Sequence, residues 1–418
     1  MAAVIIPVWN GAGYLPACLD ALLRQEGLAV IVVDNGSADG SAELVRRRYP
    51  QVQLVENGRN LGFAGGCNVG LRLAKAETLF LVNQDVVVQP GWLAALQSAL
   101  AQPGVGVVGC KLLYPDGTIQ HAGGALRYPL AHPDHFGYRQ PDRGEWDEPR
   151  DVEYVSGAAM GLRRALLDEI GFLDEGFYPA FYEDTDFCRR ARAAGYRVVY
   201  VPQAVALHHE TTTVEREGVE YHRWMGRGRL RYVLKHYSPE QFPADFVPAE
   251  RAWLAALESP AMRQGMWMAY LDTLLGLREA LRAGCLAAVD EEDEVAELLL
   301  ELRAQLIRAP APSRPEERIA GIDWRVEERP FASRVPLVGP LVAAFRSLWN
   351  GVSTRWYVRP LLEQQNAVNR QLAEAVAALQ ETMVELDREA VDARRLNARS
   401  IHRLREELER LQAREEMT

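Results

Sequence analysis

Ala29-Val-Ile-Val-Val-Asp-Asn-Gly-Ser37 is the stretch that decides the fold. An apolar run with no polar alternation reads as a strand buried on both faces, the mark of a parallel sheet. Asp34 closes the run, and Asn35-Gly36-Ser37 turns the chain. Working outward, residues 3–7, 52–56 and 78–82 read as further strands. Residues 15–25, 41–49 and 62–74 carry helical spacing, with Leu15, Leu19 and Leu22 on one face. Strands alternating with helices give βαβ units, so an α/β fold is expected, with a mixed, mostly parallel sheet flanked by helices.

The whole chain agrees with this. Its 418 residues are 48% hydrophobic and 25% charged, an ordinary globular balance that excludes a disordered, collagenous or disulfide-scaffold protein. The net charge of -10 counts against a nucleic-acid binder. Cys18, Cys67, Cys110, Cys188 and Cys285 are scattered singly, with no C-x-x-C pair for structural zinc. The chain enters an apolar run by Val4 without a basic leader, and no apolar run reaches the ~20 residues a membrane span needs. A cytoplasmic location is expected, with peripheral contact at a membrane surface.

Five segments are expected. Residues 1–237 form the α/β domain, 238–308 a helical region, and 309–334 a linker opening on Ala309-Pro-Ala-Pro-Ser-Arg-Pro315. Residues 335–360 are amphipathic, with Leu341, Phe345, Leu348, Val352 and Trp356 at helical spacing beside Arg346, Arg355 and Arg359. That suits a helix lying on anionic lipid, or one packed on protein. Residues 361–418 carry a heptad seam through Leu372, Val376, Leu379, Met383 and Leu386, with a stutter at Asn397. A homo-oligomer through a coiled coil is expected. Residues 121–149, rich in His, Pro, Gly and Asp, read as a long surface loop.

Several motifs could carry chemistry. Gly11-Ala-Gly13 suggests a dinucleotide loop, but Pro16 takes the third glycine position. Asp34, at a strand end, could accept from the ring imide of uracil or thymine, or simply cap a turn. Asn60-Leu-Gly-Phe-Ala-Gly-Gly-Cys-Asn68 could bring backbone to a phosphate or permit tight packing. Leu81-Val-Asn-Gln-Asp85 ends a buried strand on a carboxylate, suited to a cation or to a capped end. Tyr182-Glu-Asp-Thr-Asp186-Phe-Cys-Arg-Arg190 gathers three carboxylates at a helix start. They could serve the helix dipole and an Asp186–Arg190 pair, or supply a general base. His208 and His209 are surface residues or a metal ligand.

Taken in this order, the motifs from about Val4 to Tyr237 resemble the inverting nucleotide-sugar glycosyltransferases of family 2, with a GT-A fold, and look most like a rhamnosyltransferase subgroup. The resemblance implies that Pro7, Val8, Trp9, Asp34 and Asn35 hold the donor base, with Arg59, Asn60 and Asn68 near the nucleotide. Asn83, Gln84 and Asp85 match the family's D-x-D stretch, Asn83 standing where the first acid often is. Asp85 and His208 would be ligands of a divalent cation, Mg²⁺ or Mn²⁺. Asp184 would be the catalytic base, with Glu183 beside it. The expected activity is transfer from dTDP-rhamnose or a UDP-sugar to a hydroxyl of a glycan or lipid-linked glycan in cell-surface polysaccharide synthesis. His121, His132, His135 and Trp146 are candidates to meet the acceptor. The alternative is a nucleotide-binding scaffold that organises a glycan assembly complex through its coiled coil. A nucleotidyltransferase is disfavoured, because Gly11-Ala-Gly-Tyr-Leu-Pro16 lacks a basic residue.

Overall fold

A computed structural model of the chain describes residues 2–210, 216–284 and 289–308. The expected linker 309–334, amphipathic segment 335–360 and coiled coil 361–418 lie outside these residues. Strands and helices alternate at the start, as the apolar runs predict: β1 (Ala2–Val8), α1 (Leu15–Leu22), β2 (Leu28–Asp34), α2 (Ser41–Arg48), β3 (Gln53–Glu56), α3 (Gly62–Leu73) and β4 (Thr78–Val82). There follow β5 (Val86–Val88), α4 (Trp92–Leu100), β6 (Val105–Leu113), β7 (Ile119–His121), β8 (Gly124–Arg127), β9 (His132–His135), β10 (Arg150–Asp151) and β11 (Ala159–Arg163). Then come α5 (Arg164–Ile170), α6 (Glu183–Ala193), β12 (Arg197–His208) and α7 (Val219–His236). Four helices end the described chain: α8 (Val247–Ala255), α9 (Pro260–Leu275), α10 (Leu277–Arg282) and α11 (Val289–Arg308).

The main sheet has the order β10-β12-β6-β11-β4-β1-β2-β3, with β5 added on β12 and β7 on β6. Strands β3, β2, β1 and β4 are parallel; β11 runs against both β4 and β6, and β6 and β12 are again parallel. The mixed sheet is flanked by helices, as expected. Along β1, Val4 and Ile6 enter one core with Leu15, Leu19 and Trp92, while Ala3 and Ile5 enter the opposite core with Leu71, Leu166 and Phe187. Side chains of a strand point to alternate faces, so a strand covered on both sides must be apolar throughout.

The glycines of α3 serve packing. A Cβ on Gly70 would lie 2.3 Å from Cγ2 of Ile5, and one on Gly66 would lie 2.7 Å from Nδ2 of Asn35. Their absence lets the helix ride close on the ends of β1 and β2.

Residues 121–149 depart from the expected surface loop. They contain the β8–β9 hairpin, and His121 is buried at the end of β7. Side-chain ties outweigh the loop-like composition: Lys111 is ion-paired with Asp142 and Asp147, and Phe136 stacks on Trp146. Leu230, Phe246, Leu254, Tyr270 and Leu299 share a core with Phe177 and Tyr182, pinned by the buried Arg229–Glu250 pair. Among the described residues, no helix is long and apolar enough to cross a membrane.

Candidate active site

The ends of β1, β2 and β4 form one rim, tied by hydrogen bonds in series. Asp34 ends β2 level with Val8 of β1, and the amide of Asn35 donates to the Val8 carbonyl at 2.7 Å. The side chain of Gln84 then accepts from the amide of Trp9 at 3.0 Å and donates to its carbonyl at 3.3 Å. The amide of Asn83 donates to the Ala158 carbonyl at 2.9 Å, and the amide of Gly157 donates to Oδ2 of Asp184 at 2.8 Å. Asp85 stands next to Gln84, and Nε2 of His208 lies 3.3 Å from its Oδ1. Residues spread from Pro7 to His208 therefore meet at one edge, where open α/β sheets bind ligands.

Asp34 is buried. Its Oδ2 accepts from the amides of Gly36 and Ser37, each at 3.1 Å, which is the turn role. Its Oδ1 is buried and has no hydrogen-bond partner among the described residues. Such an oxygen is costly to leave unpaired, so it marks a ligand donor's place. Asn35 is used internally, donating to the Gly62 carbonyl at 3.1 Å and accepting from Asn57 at 2.8 Å. Arg59 is exposed, and its backbone packs against Gly36; Asn60 accepts from the Gly62 amide at 2.8 Å. Asn68, expected near the nucleotide, is buried on α3. Its amide donates to the Leu173 carbonyl and to Glu175, both at 2.9 Å, and so supports the segment before α6. Gln84 likewise spends its amide on Trp9.

His208 sits on β12, which runs past Pro202 with a register shift between Val201 and Val205, and pairs with β5 so that His208 faces Val86. Its Nδ1 is 2.6 Å from Oε1 of Gln120, and with the hydrogen on Nδ1 the ring would turn the lone pair of Nε2 toward the Asp85 carboxylate. Two electron-rich atoms so placed suit a shared cation. Among the described residues no group of three or more His, Cys, Asp or Glu side chains could hold a metal alone. A divalent cation here would complete its shell from substrate phosphates and water, which is how Mg²⁺ is commonly bound. His209 uses its backbone amide on the Asp85 carbonyl at 3.1 Å.

The three carboxylates of α6 have different lives. Phe181 and Tyr182 both hold positive φ, 81° and 74°, which swings the helix start into the rim. Asp184 is part-exposed and oriented by amides: Oδ2 by Gly157, and Oδ1 by Thr185 at 2.7 Å. Glu183 is buried, with Oε2 unpartnered among the described residues. Burial, then the negative charge of Asp184, pushes its carboxyl well above the usual carboxylate range. Asp186 is fully buried and faces Arg190 at 2.9 Å, Lys235 at 2.8 Å and His236 at 2.8 Å. Burial would raise its carboxyl, but the hydrogen bond from His236 and the charges of Arg190 and Lys235 prevail and hold it well below the usual range. Asp186 is the knot that fixes α6 to α7.

Two of the acceptor candidates are engaged in packing. His132 meets the Trp253 ring edge-on at 4.7 Å, and Trp146 donates to Gln140 at 3.3 Å. Sequence reading missed Gln120, Ser156, Gly157, Lys235 and His236; each acts across a long sequence gap, and no local pattern marks it.

The family model Glycosyl transferase family 2 matches residues 3–171, and Glycosyl transferase family 21 matches residues 146–302. The N-acetylglucosaminyl-diphospho-decaprenol L-rhamnosyltransferase of Mycobacterium tuberculosis (strain ATCC 25618 / H37Rv) is 30% identical over 222 residues, 47% of this chain and 71% of that protein. O-antigen biosynthesis protein RfbC of Myxococcus xanthus is 29% identical over 242 residues, 55% of this chain and 19% of that protein. The chain spans under a third of two of the curated relatives it matches, 28% of one and 19% of the other. Among solved structures, the mannosyltransferase PcManGT from Pyrobaculum calidifontis, in complex with GDP-Man and Mn2+, aligns with a TM-score of 0.42 at 21% identity, covering 73% of this chain and 86% of that one.

Proposed function

The chain belongs to glycosyl transferase family 2, and we propose that it moves a sugar from a nucleoside-diphosphate sugar to a hydroxyl of a glycan or lipid-linked glycan, with inversion. One observation carries this: the hydrogen-bond series that ties Asp34, Asp85 and Asp184 to a single rim. On this reading Oδ1 of Asp34 accepts from the ring imide of uracil or thymine. The Pro7–Trp9 backbone, with Val8 between, supports the base, and Arg59 and Asn60 flank the nucleotide. Asp184 takes the proton of the acceptor hydroxyl as that oxygen bonds to the anomeric carbon. The bond from that carbon to the diphosphate oxygen breaks on the opposite face. Asp85 and His208 would hold a divalent cation, whose charge offsets that of the departing diphosphate when bound.

The donor we favour is dTDP-rhamnose, next a UDP-sugar, and the setting is cell-surface polysaccharide synthesis. Similarity to an L-rhamnosyltransferase and to an O-antigen biosynthesis protein supports this. The test is a panel of nucleotide sugars with Mn²⁺, Mg²⁺ or EDTA, reading melting temperature and released nucleoside diphosphate. Binding to the native state raises the melting temperature. A protein that neither shifts nor releases diphosphate with any donor refutes the proposal.

A further inference from the structure

Behind Asp184 two imidazoles fix each other's hydrogens. Nδ1 of His121 lies 2.8 Å from Nδ1 of His135. One ring must donate and the other accept. The backbone amide of Ser156 decides which, because it approaches Nε2 of His121 at 3.2 Å and an amide only donates. His121 therefore carries its hydrogen on Nδ1 and gives it to His135. That leaves His135 with its hydrogen on Nε2. Burial pushes both rings below the ordinary histidine range, and the neighbouring ring adds to this for His121.

The pair is locked to the proposed base. Ser156 and Gly157 are consecutive: the first amide holds His121, the second holds Asp184 at 2.8 Å. The negative charges of Asp184 and Glu210 act on His135. Its ring is part-buried between Tyr138 and Tyr154, and among the described residues none hydrogen-bonds to its Nε2.

We propose that His135 orients the acceptor, its Nε2–H donating to a hydroxyl oxygen of the acceptor sugar beside the hydroxyl that Asp184 deprotonates. This rests on the sugar-transfer reading above. A nitrogen that only donates, tied through His121 and the consecutive amides of Ser156 and Gly157 to a carboxylate that only accepts, matches a vicinal diol, where one hydroxyl accepts and its neighbour donates. The acceptor class is thus a sugar offering adjacent free hydroxyls. His121 and Ser156 act through His135 and are positioning residues.

The experiment compares wild type, H135F and H135Q. Transfer to octyl β-glucoside and octyl N-acetyl-β-glucosaminide is measured with a donor from the panel above, beside hydrolysis of that donor without acceptor. H135F should raise the acceptor KM about tenfold, the worth of one hydrogen bond. Donor hydrolysis should stay within about twofold, since only acceptor binding is touched. H135Q, whose amide still donates, should recover most of the loss. An unchanged acceptor KM, or an equal loss of transfer and hydrolysis, overturns the assignment while the transferase reading stands. A wild type that hydrolyses donor but uses neither glycoside overturns the acceptor class. A wild type that releases no diphosphate from any donor overturns the transferase reading and this inference with it. Long-range ¹H–¹⁵N spectra of the wild-type imidazoles give a check free of any variant's folding. They should show His121 protonated on Nδ1 and His135 on Nε2; the opposite tautomers, or a charged ring at neutral pH, overturn the proposal.

Discussion

Nε2 of His208 faces Oδ1 of Asp85 across 3.3 Å because Gln120 holds the opposite nitrogen of the ring at 2.6 Å. The proposed ligand pair is thus set by a residue that would not itself touch the cation. Replacing Gln120 by Leu should weaken Mn²⁺ binding by about 10–100-fold, the usual cost of losing an outer-shell partner. Calorimetric titration with Mn²⁺ reads this directly. Excess Mn²⁺ should restore diphosphate release in the variant, and EDTA should abolish it in the wild type.

Asp184→Asn keeps an oxygen for the Gly157 amide, loses the one that accepts from the Thr185 amide, and removes the proposed base. Turnover should fall by roughly 10²–10⁴-fold, the range for general-base catalysis. Donor KM should hold, and the melting temperature should fall by no more than the loss of one hydrogen bond allows. Near-normal turnover in the folded variant would remove Asp184 from the mechanism.

Asp34→Asn keeps the shape of the turn and takes away the charge proposed to face the base. The Kd for UDP or dTDP should rise about tenfold or more, since hydrogen bonds to charged groups are worth ~1.5–3 kcal/mol. Equilibrium binding of the nucleotide measures it. Equal affinity in wild type and variant would place the base elsewhere.

Glu183 is expected to make stability fall with rising pH. Its carboxyl binds a proton more tightly folded than unfolded, so the loss starts near the ordinary glutamate value of ~4.3 and runs at up to ~1.4 kcal/mol per pH unit until the folded value is reached. Glu183→Gln mimics the neutral acid and should lack this slope. Urea unfolding of both proteins from pH 4.5 to pH 8 gives the difference, which should grow in favour of the variant. Parallel curves would show that Glu183 ionises freely.

Asp186→Ala leaves Arg190, Lys235 and His236 facing a buried gap. Breaking a buried ion pair from one side costs about 3–5 kcal/mol. Denaturant midpoints should show that loss. A change below about 1 kcal/mol, the scale of a surface pair, would mean solvent screens the cluster.

The strands of the parallel half were legible because burial on both faces writes itself into sequence as unbroken apolar runs, as at Ile31–Val33. The residues that converge at the rim were legible as strand-end and helix-start polar groups. The partnerships were not. β12 runs past Pro202 through a register shift and on to His208, and a proline inside the run gives no sign of that continuation. The hairpin that brings His135 to His121 is composed like a loop, and its pairing depends on contacts between distant segments. Gly66 shows why the Asn60–Asn68 stretch stayed open to two readings, since a phosphate-loop pattern and a close-packing pattern use the same residue for the same lack of a Cβ.

Gln84 ties its amide to both backbone groups of Trp9, so the strand ends on either side of it are fastened before any substrate arrives. A rim built in this way is preorganised. The entropy of arranging the cleft is lost once, as the polypeptide folds, and need not be lost again at each turnover.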